Sequence, residues 1–174
     1  FSHYWMHNAF LNVDNQKMSK SLNNFFTVRE IAEQVGYEVI RYFLLTAHYR
    51  SPLNFTREII DQCKSSLERL YTAREHLDFL ISHAVDGKDE IVAEADRLVA
   101  EFVAVMDDDL NTADALSKLF ELVTFINVNG KEQSKAALEH AAKAFDEMAE
   151  VLGVLYNRNK DEIPAEVKAL VEER

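Results

Sequence analysis

The chain has 174 residues, 48% of them hydrophobic and 28% charged, with four Gly, two Pro and one Cys. This composition excludes disorder and collagen-like structure, and the single cysteine excludes an internal disulfide framework or a multi-cysteine metal site. The formal charge of −11 is uneven: six Lys/Arg stand against five Asp/Glu through Ile60, and 13 against 25 after it, so a generic basic nucleic-acid stripe is excluded and any RNA contact must be local.

No apolar run approaches the length of a membrane span, and the first residues, Phe1 to His7, lack the order of a signal peptide. A cytoplasmic protein that does not engage a membrane is expected. The lack of an initiator Met and of a terminator at the far end predicts a piece of a longer chain.

The segment to about Val13 reads as extended, followed by a polar loop from Asp14 through Asn24. Thr27 and Glu30 are spaced as a capping box, so a helix starts at Thr27 and Gly36 ends it with a left-handed residue. A second helix covers about Tyr37 to Tyr49. Ser51-Pro52-Leu53-Asn54 interrupts it, and Thr56 caps a long helix of seven or eight turns whose stripe includes Ile60, Cys63, Leu67, Leu70, Leu77 and Leu80 and which ends at Asp86-Gly87. Further stripes run from Ile91 to Met106, from Leu116 to Ile126 after an Asn111 cap, and from Leu138 to Leu155. A last short helix is expected from Pro164 to Arg174. The fold predicted is mainly all-α: an antiparallel, up-and-down helical bundle preceded by a short strand, loop and helix segment. The chain divides into residues 1–54, with the loop and connecting helices, and 55–174, the bundle.

The chemistry-bearing motif is Lys17-Met18-Ser19-Lys20-Ser21. Two ammonium groups and two hydroxyls on one irregular loop can surround a triphosphate, and lysine, a point charge on a flexible stem, can follow phosphate oxygens as they move. Met18 is expected to anchor the loop in an apolar socket. Cys63 reads as a small core residue, His3 and His7 as packing or polar structural residues, and Asp107-Asp108-Asp109 as a structural turn. Trp5, Phe25 and Phe26 are expected to be buried under the loop.

The motif resembles the KMSKS signature of class I aminoacyl-tRNA synthetases. With Tyr4-Trp5-Met6-His7-Asn8 before it, Asn24-Phe25-Phe26-Thr27-Val28 behind it, Arg41-Tyr42-Phe43-Leu44-Leu45, His48-Tyr49-Arg50-Ser51-Pro52-Leu53 and Met106-Asp107-Asp108-Asp109-Leu110-Asn111-Thr112, the chain resembles the cysteinyl-tRNA synthetase family along almost its whole length. Two positions depart from that family: Asn23 and Ala9 stand where Gly is usual. The first departure is expected to stiffen the loop, since Asn accepts a positive φ less freely than Gly.

The resemblance implies a parent enzyme that activates cysteine with ATP and Mg²⁺ and transfers it to tRNA(Cys), acting as a monomer. It implies Lys17 and Lys20 as catalytic residues, and Lys17, Met18, Ser19, Lys20 and Ser21 as the ATP-binding set. It implies a bundle of the DALR type that contacts tRNA, for which Arg41, Arg50, Arg57, Arg69 and Arg74 are candidate contacts, each equally readable as an ion-pair residue. A zinc ion would be held by ligands upstream of Phe1, with no metal site in this chain, which alone is expected to be inactive. Two other readings stay open: a tRNA-independent cysteine ligase of mycothiol biosynthesis, and a non-catalytic helical binding module.

Overall fold

The computed structural model describes residues 1–158. The helix expected from Pro164 to Arg174 lies outside them. Residues 1–10 carry no regular secondary structure, and β1 (Leu11–Val13) then turns tightly into β2 (Gln16–Lys17). Asp14 and Asn15 both take positive φ, 49° and 60°, as a two-residue hairpin turn matched to strand twist requires. The polar run read as loop is therefore partly a hairpin. A second strand missed from sequence is β3 (Leu53–Phe55), which pairs in parallel with β1, Leu11 opposite Leu53 and Val13 opposite Phe55. Three residues are too few for a period-two pattern to declare itself, and Pro52 masks the start of β3.

Helix α1 (Val28–Val35) begins with the expected box: the Glu30 amide donates to Thr27 Oγ1 at 3.3 Å and the Thr27 amide to Glu30 Oε2 at 2.6 Å. Gly36 does take positive φ, but at φ 87° and ψ 151° it is an extended link rather than a left-handed cap. Helix α2 (Tyr37–Leu45) stops four residues before the expected end, because Thr46 bonds back to the Phe43 carbonyl through both its amide and its hydroxyl. Helix α3 (Arg57–His83) starts at the Thr56 cap and ends at His83, ahead of Asp86-Gly87. Gly87 has another duty. A Cβ there would lie 2.6 Å from the Glu132 oxygen and the Gln133 carbonyl carbon, because the Lys88 amide donates to Glu132 O and the Ser134 amide to Lys88 O.

That clamped crossing ties the α3–α4 connection to residues 132–134, and the helices do not pack in chain order. Helix α4 (Glu90–Asp107) packs on α5 (Thr112–Asn129) and α6 (Lys135–Leu152), while α3 packs on α6 and α2. The mainly-α architecture is as expected, but the neighbours are not those of the simplest up-and-down succession, in which α4 would return along α3. The core between the helices is built of side chains with almost no exposure, among them Leu70, Leu77, Ile91, Leu98, Leu119, Leu122, Phe145 and Met148. Each such burial stabilises by about 1.5–3 kcal/mol. Val103, expected on the α4 stripe, is 49% exposed, and Leu155, expected to extend the last stripe, is buried but beyond the helix at φ 64°.

Two buried polar groups staple the elements. Gln133 accepts from the Ile91 amide at 3.0 Å, capping α4 in place of its own Asp89, which makes no cap bond. Glu38 on α2 accepts from the Tyr71 hydroxyl at 2.8 and 3.0 Å, from the Leu155 amide and from Asn157 Nδ2 at 3.1 Å. Desolvation, with the Glu38 carboxylate beside it, pushes the Tyr71 phenol up to about 12. No helix among the described residues is long and apolar enough to cross a membrane.

Candidate functional site

The lysine motif spans the end of β2 and a short 3₁₀ turn over Lys20–Leu22. Ser19 caps that turn, its Oγ accepting from the Ser21 amide at 3.2 Å and lying 2.7 Å from Ser21 Oγ. Asn24 closes the loop from the other end: Oδ1 accepts from the Ser19 amide at 2.8 Å and Nδ2 donates to the Lys17 carbonyl at 3.2 Å. One side chain thus grips both flanks of Met18. Asn23 adopts the left-handed conformation, φ 54° and ψ 26°, and its amide bonds to the Lys20 carbonyl. The position that departs from the family's Gly is therefore one where a positive φ is needed, and Asn supplies it at some steric cost.

Both lysines are exposed and neither has a carboxylate partner among the described residues. Instead Lys17 Nζ lies 5.8 Å from the Phe10 ring centre and Lys20 Nζ 5.4 Å from that of Phe25. Such contacts contribute about 0.5–1 kcal/mol at exposed sites, so they orient the ammonium groups without competing against a phosphate. Phe25 is 50% exposed and Trp5 67%, which corrects their expected burial; serving as an open rest for Lys20 keeps the Phe25 ring at the surface. Phe26 is packed, 4.6 Å from Phe55. Met18 is half-buried.

The candidate arginines fare differently from one another. Arg74 is largely buried and bonds Asp146 through Nε and Nη2 at 2.9 and 3.0 Å, and Asp78 through Nη1. Arg50 bonds Asp109 through Nε at 2.7 Å. Arg41 donates to the Leu152 carbonyl at 2.7 Å and lies against Gly153, the left-handed residue ending α6. Arg69 stacks 5.2 Å from the Phe120 ring centre, and Arg57, at the start of α3, is exposed. Only the Arg74–Asp78 pair, four residues apart on α3, could have been read from spacing; the other partners lie on distant elements.

Asp109 is likewise more than a turn residue. Its carboxylate accepts from Tyr49 Oη at 2.7 Å as well as from Arg50, and these bonds hold it below the usual carboxylate range while raising the Tyr49 phenol and the Arg50 guanidinium. Cys63 is buried on α3, and desolvation pushes its thiol up to about 11, so it is protonated at neutral pH and is no nucleophile. Among the described residues no group of three or more His, Cys, Asp or Glu is placed to hold a metal ion.

Comparison with known proteins agrees with this anatomy. Residues 1–65 match the model of the class I (C) tRNA synthetase catalytic domain, and residues 101–156 that of the DALR domain. The cysteine–tRNA ligases of Caldicellulosiruptor saccharolyticus and Clostridioides difficile are each 45% identical over the whole of this chain, which spans 38% and 39% of their length. That of Lachnospira eligens is 42% identical and is spanned to 38%. Among solved structures, the ternary complex of Agrobacterium radiobacter LeuRS with tRNA and LeuAMS superposes with a TM-score of 0.68 over 85% of this chain and 22% of that one, at 18% identity, a likeness of fold alone. The chain thus carries, in order, a class I (C) tRNA synthetase catalytic-domain segment and a DALR segment, and along its full length it is 41–45% identical to a part of the cysteine–tRNA ligases it matches.

Proposed function

We propose that this chain is the lysine-loop and helical part of a cysteine–tRNA ligase, which activates cysteine with ATP and Mg²⁺ and transfers it to tRNA(Cys). The observation that carries this reading is a pre-shaped loop presenting two ammonium groups without carboxylate partners among the described residues, clamped by Asn24. In amino-acid activation the substrate carboxylate attacks the α-phosphorus of ATP and negative charge builds on the departing pyrophosphate. Lys17 and Lys20 meet that charge more closely in the transition state than in bound ATP, which raises the rate rather than only the affinity. Ser19 and Ser21 offer hydroxyls to the same phosphates, and Met18 seats the loop. Among the described residues no His, Cys, Asp and Glu set is placed to hold zinc.

For tRNA the proposal rests on Arg57 and Arg69, because Arg50 and Arg74 are engaged with carboxylates of the chain itself. The working boundary between the loop-bearing unit and the bundle is Thr56, the cap of α3; a division after Asn54 would cut through β3. In the full-length protein, Lys20→Ala is expected to lower kcat for cysteine-dependent ATP–pyrophosphate exchange by about 10²-fold, as removal of a charge-stabilising donor does elsewhere. A change confined to KM refutes the assigned role. Exchange followed by transfer to tRNA, rather than to an amino sugar, separates the ligase from its tRNA-independent relative, and a folded full-length protein that shows no exchange at all is left as a binding module.

A further inference from the structure

Of the three consecutive aspartates at the end of α4, Asp107 to Asp109, only Asp109 has its carboxylate engaged among the described residues, and its partners all come from one short connection. Tyr49 Oη donates to Oδ1 at 2.7 Å, and Arg50 donates from Nε to Oδ2 at 2.7 Å and from Nη2 to Oδ1 at 3.3 Å. His48 completes the set through the backbone. Its Nδ1 accepts from the Arg50 amide at 3.3 Å, which leaves Nε2 to donate to the Asp109 carbonyl at 3.0 Å. Beside them Thr112 Oγ1 donates to the Leu45 carbonyl at 3.0 Å.

The turn so held is a costly one. Asp109 and Leu110 both have positive φ, 58° and 57°, and neither is glycine. Non-glycine residues persist in that region when surrounding contacts over-determine them. The opposite side of the same connection carries the loop-bearing strand, because the Ala9 amide donates to the Tyr49 carbonyl at 2.8 Å and the Leu53 amide to the Phe10 carbonyl at 3.1 Å. Residues 48–53 therefore join the sheet under the lysine loop to the α4–α5 turn of the bundle. The loop's own closure, through Ser19, Asn23 and Asn24, uses none of these bonds.

We propose that Asp109 is a positioning residue that sets the bundle's orientation toward the loop-bearing unit, so that it governs the tRNA-dependent step and leaves cysteine activation untouched. The inference rests on the ligase reading above. It is tested on the full-length protein with Asp109→Ala and Asp109→Asn, measuring cysteine-dependent ATP–pyrophosphate exchange and tRNA aminoacylation in parallel. Asp109→Ala, which loses every acceptor of the clasp carboxylate, is expected to lower kcat/KM for tRNA about tenfold while exchange stays within about twofold of wild type. Asp109→Asn, which keeps an acceptor oxygen and accepts positive φ more readily, is expected to recover part of that loss. Should either variant fail to fold, Tyr49→Phe removes one donor and shifts the same ratio in the same direction by a smaller amount. Parallel loss of exchange and aminoacylation, or no loss of either, overturns the positioning role. Absence of exchange in the wild-type full-length protein overturns the ligase reading instead.

Discussion

Replacing Glu38 by alanine tests how the segment that follows α6 is tied to the rest of the molecule. Glu38 is 5% exposed and receives three donors: the Tyr71 hydroxyl, the Leu155 amide and Asn157 Nδ2. Leu155 is 3% exposed and its amide turns to no other acceptor, so deleting the carboxylate strands a buried N–H at a cost of about 1–3 kcal/mol. Tyr71 and Asn157 lie nearer the surface and can turn to water, losing about 0.5–1.5 kcal/mol each. The expected destabilisation is about 2–6 kcal/mol, a large part of the 5–15 kcal/mol typical of a whole domain. Glu38→Gln keeps one acceptor oxygen but turns an amide toward donors, and should cost about 1–2 kcal/mol. Equilibrium urea unfolding of the chain followed by circular dichroism measures both, and hydrogen exchange at the Leu155 amide reports the local release. Tyr71→Phe in the Glu38→Ala background should add less than it costs alone, because the two share a bond. A Glu38→Ala variant within about 1 kcal/mol of wild type, or a glutamine variant as damaged as the alanine one, refutes the reasoning.

Three further outcomes follow from other contacts. Gly87→Ala pushes a methyl group into the backbone of Glu132 and Gln133 and should cost about 1–3 kcal/mol, read as a lower urea midpoint; an unchanged midpoint would mean that the α3–α4 crossing is not clamped there. Gln133→Leu leaves the Ile91 amide without its cap and should lower stability by about 1–3 kcal/mol with no compensating acceptor, checked by thermal unfolding beside Gln133→Glu, which retains the acceptor and should cost less. Glu94, Glu101, Asp109, Glu132 and Asp146 are all held below their ordinary range, chiefly by bonds to Arg97, Lys118, Arg50, Lys88 and, against its own burial, Arg74. A depressed folded pKa adds stability above the unfolded value and loses it as pH falls through the folded one, so the urea midpoint should hold from pH 7 to about 5 and fall steadily below about 4. A midpoint that rises between pH 5 and pH 3 would contradict that sign.

Features encoded within a few neighbouring residues were legible from the chain alone. The Thr27–Glu30 box and the caps at Thr56 and Asn111 appear where the pattern placed them, and the three- and four-residue stripes do so apart from Val103 and Leu155, because one turn of helix brings those side chains together whatever surrounds them. The lysine motif was legible for the same reason, as a contiguous string. Tertiary structure alone decided the rest. The three-residue strands β1 and β3 exist through pairing over some forty residues, and the packing of α4 on α5 and α6 rather than along α3 brings together residues far apart in the chain. Phe10 and Phe25 rest the two lysines, and Asp109 answers Arg50 across 59 residues. Charge and spacing announce that such groups exist, but which acid meets which base is fixed only when packing of the apolar stripes brings distant turns together, since an exposed ion pair is worth too little to choose its own partner.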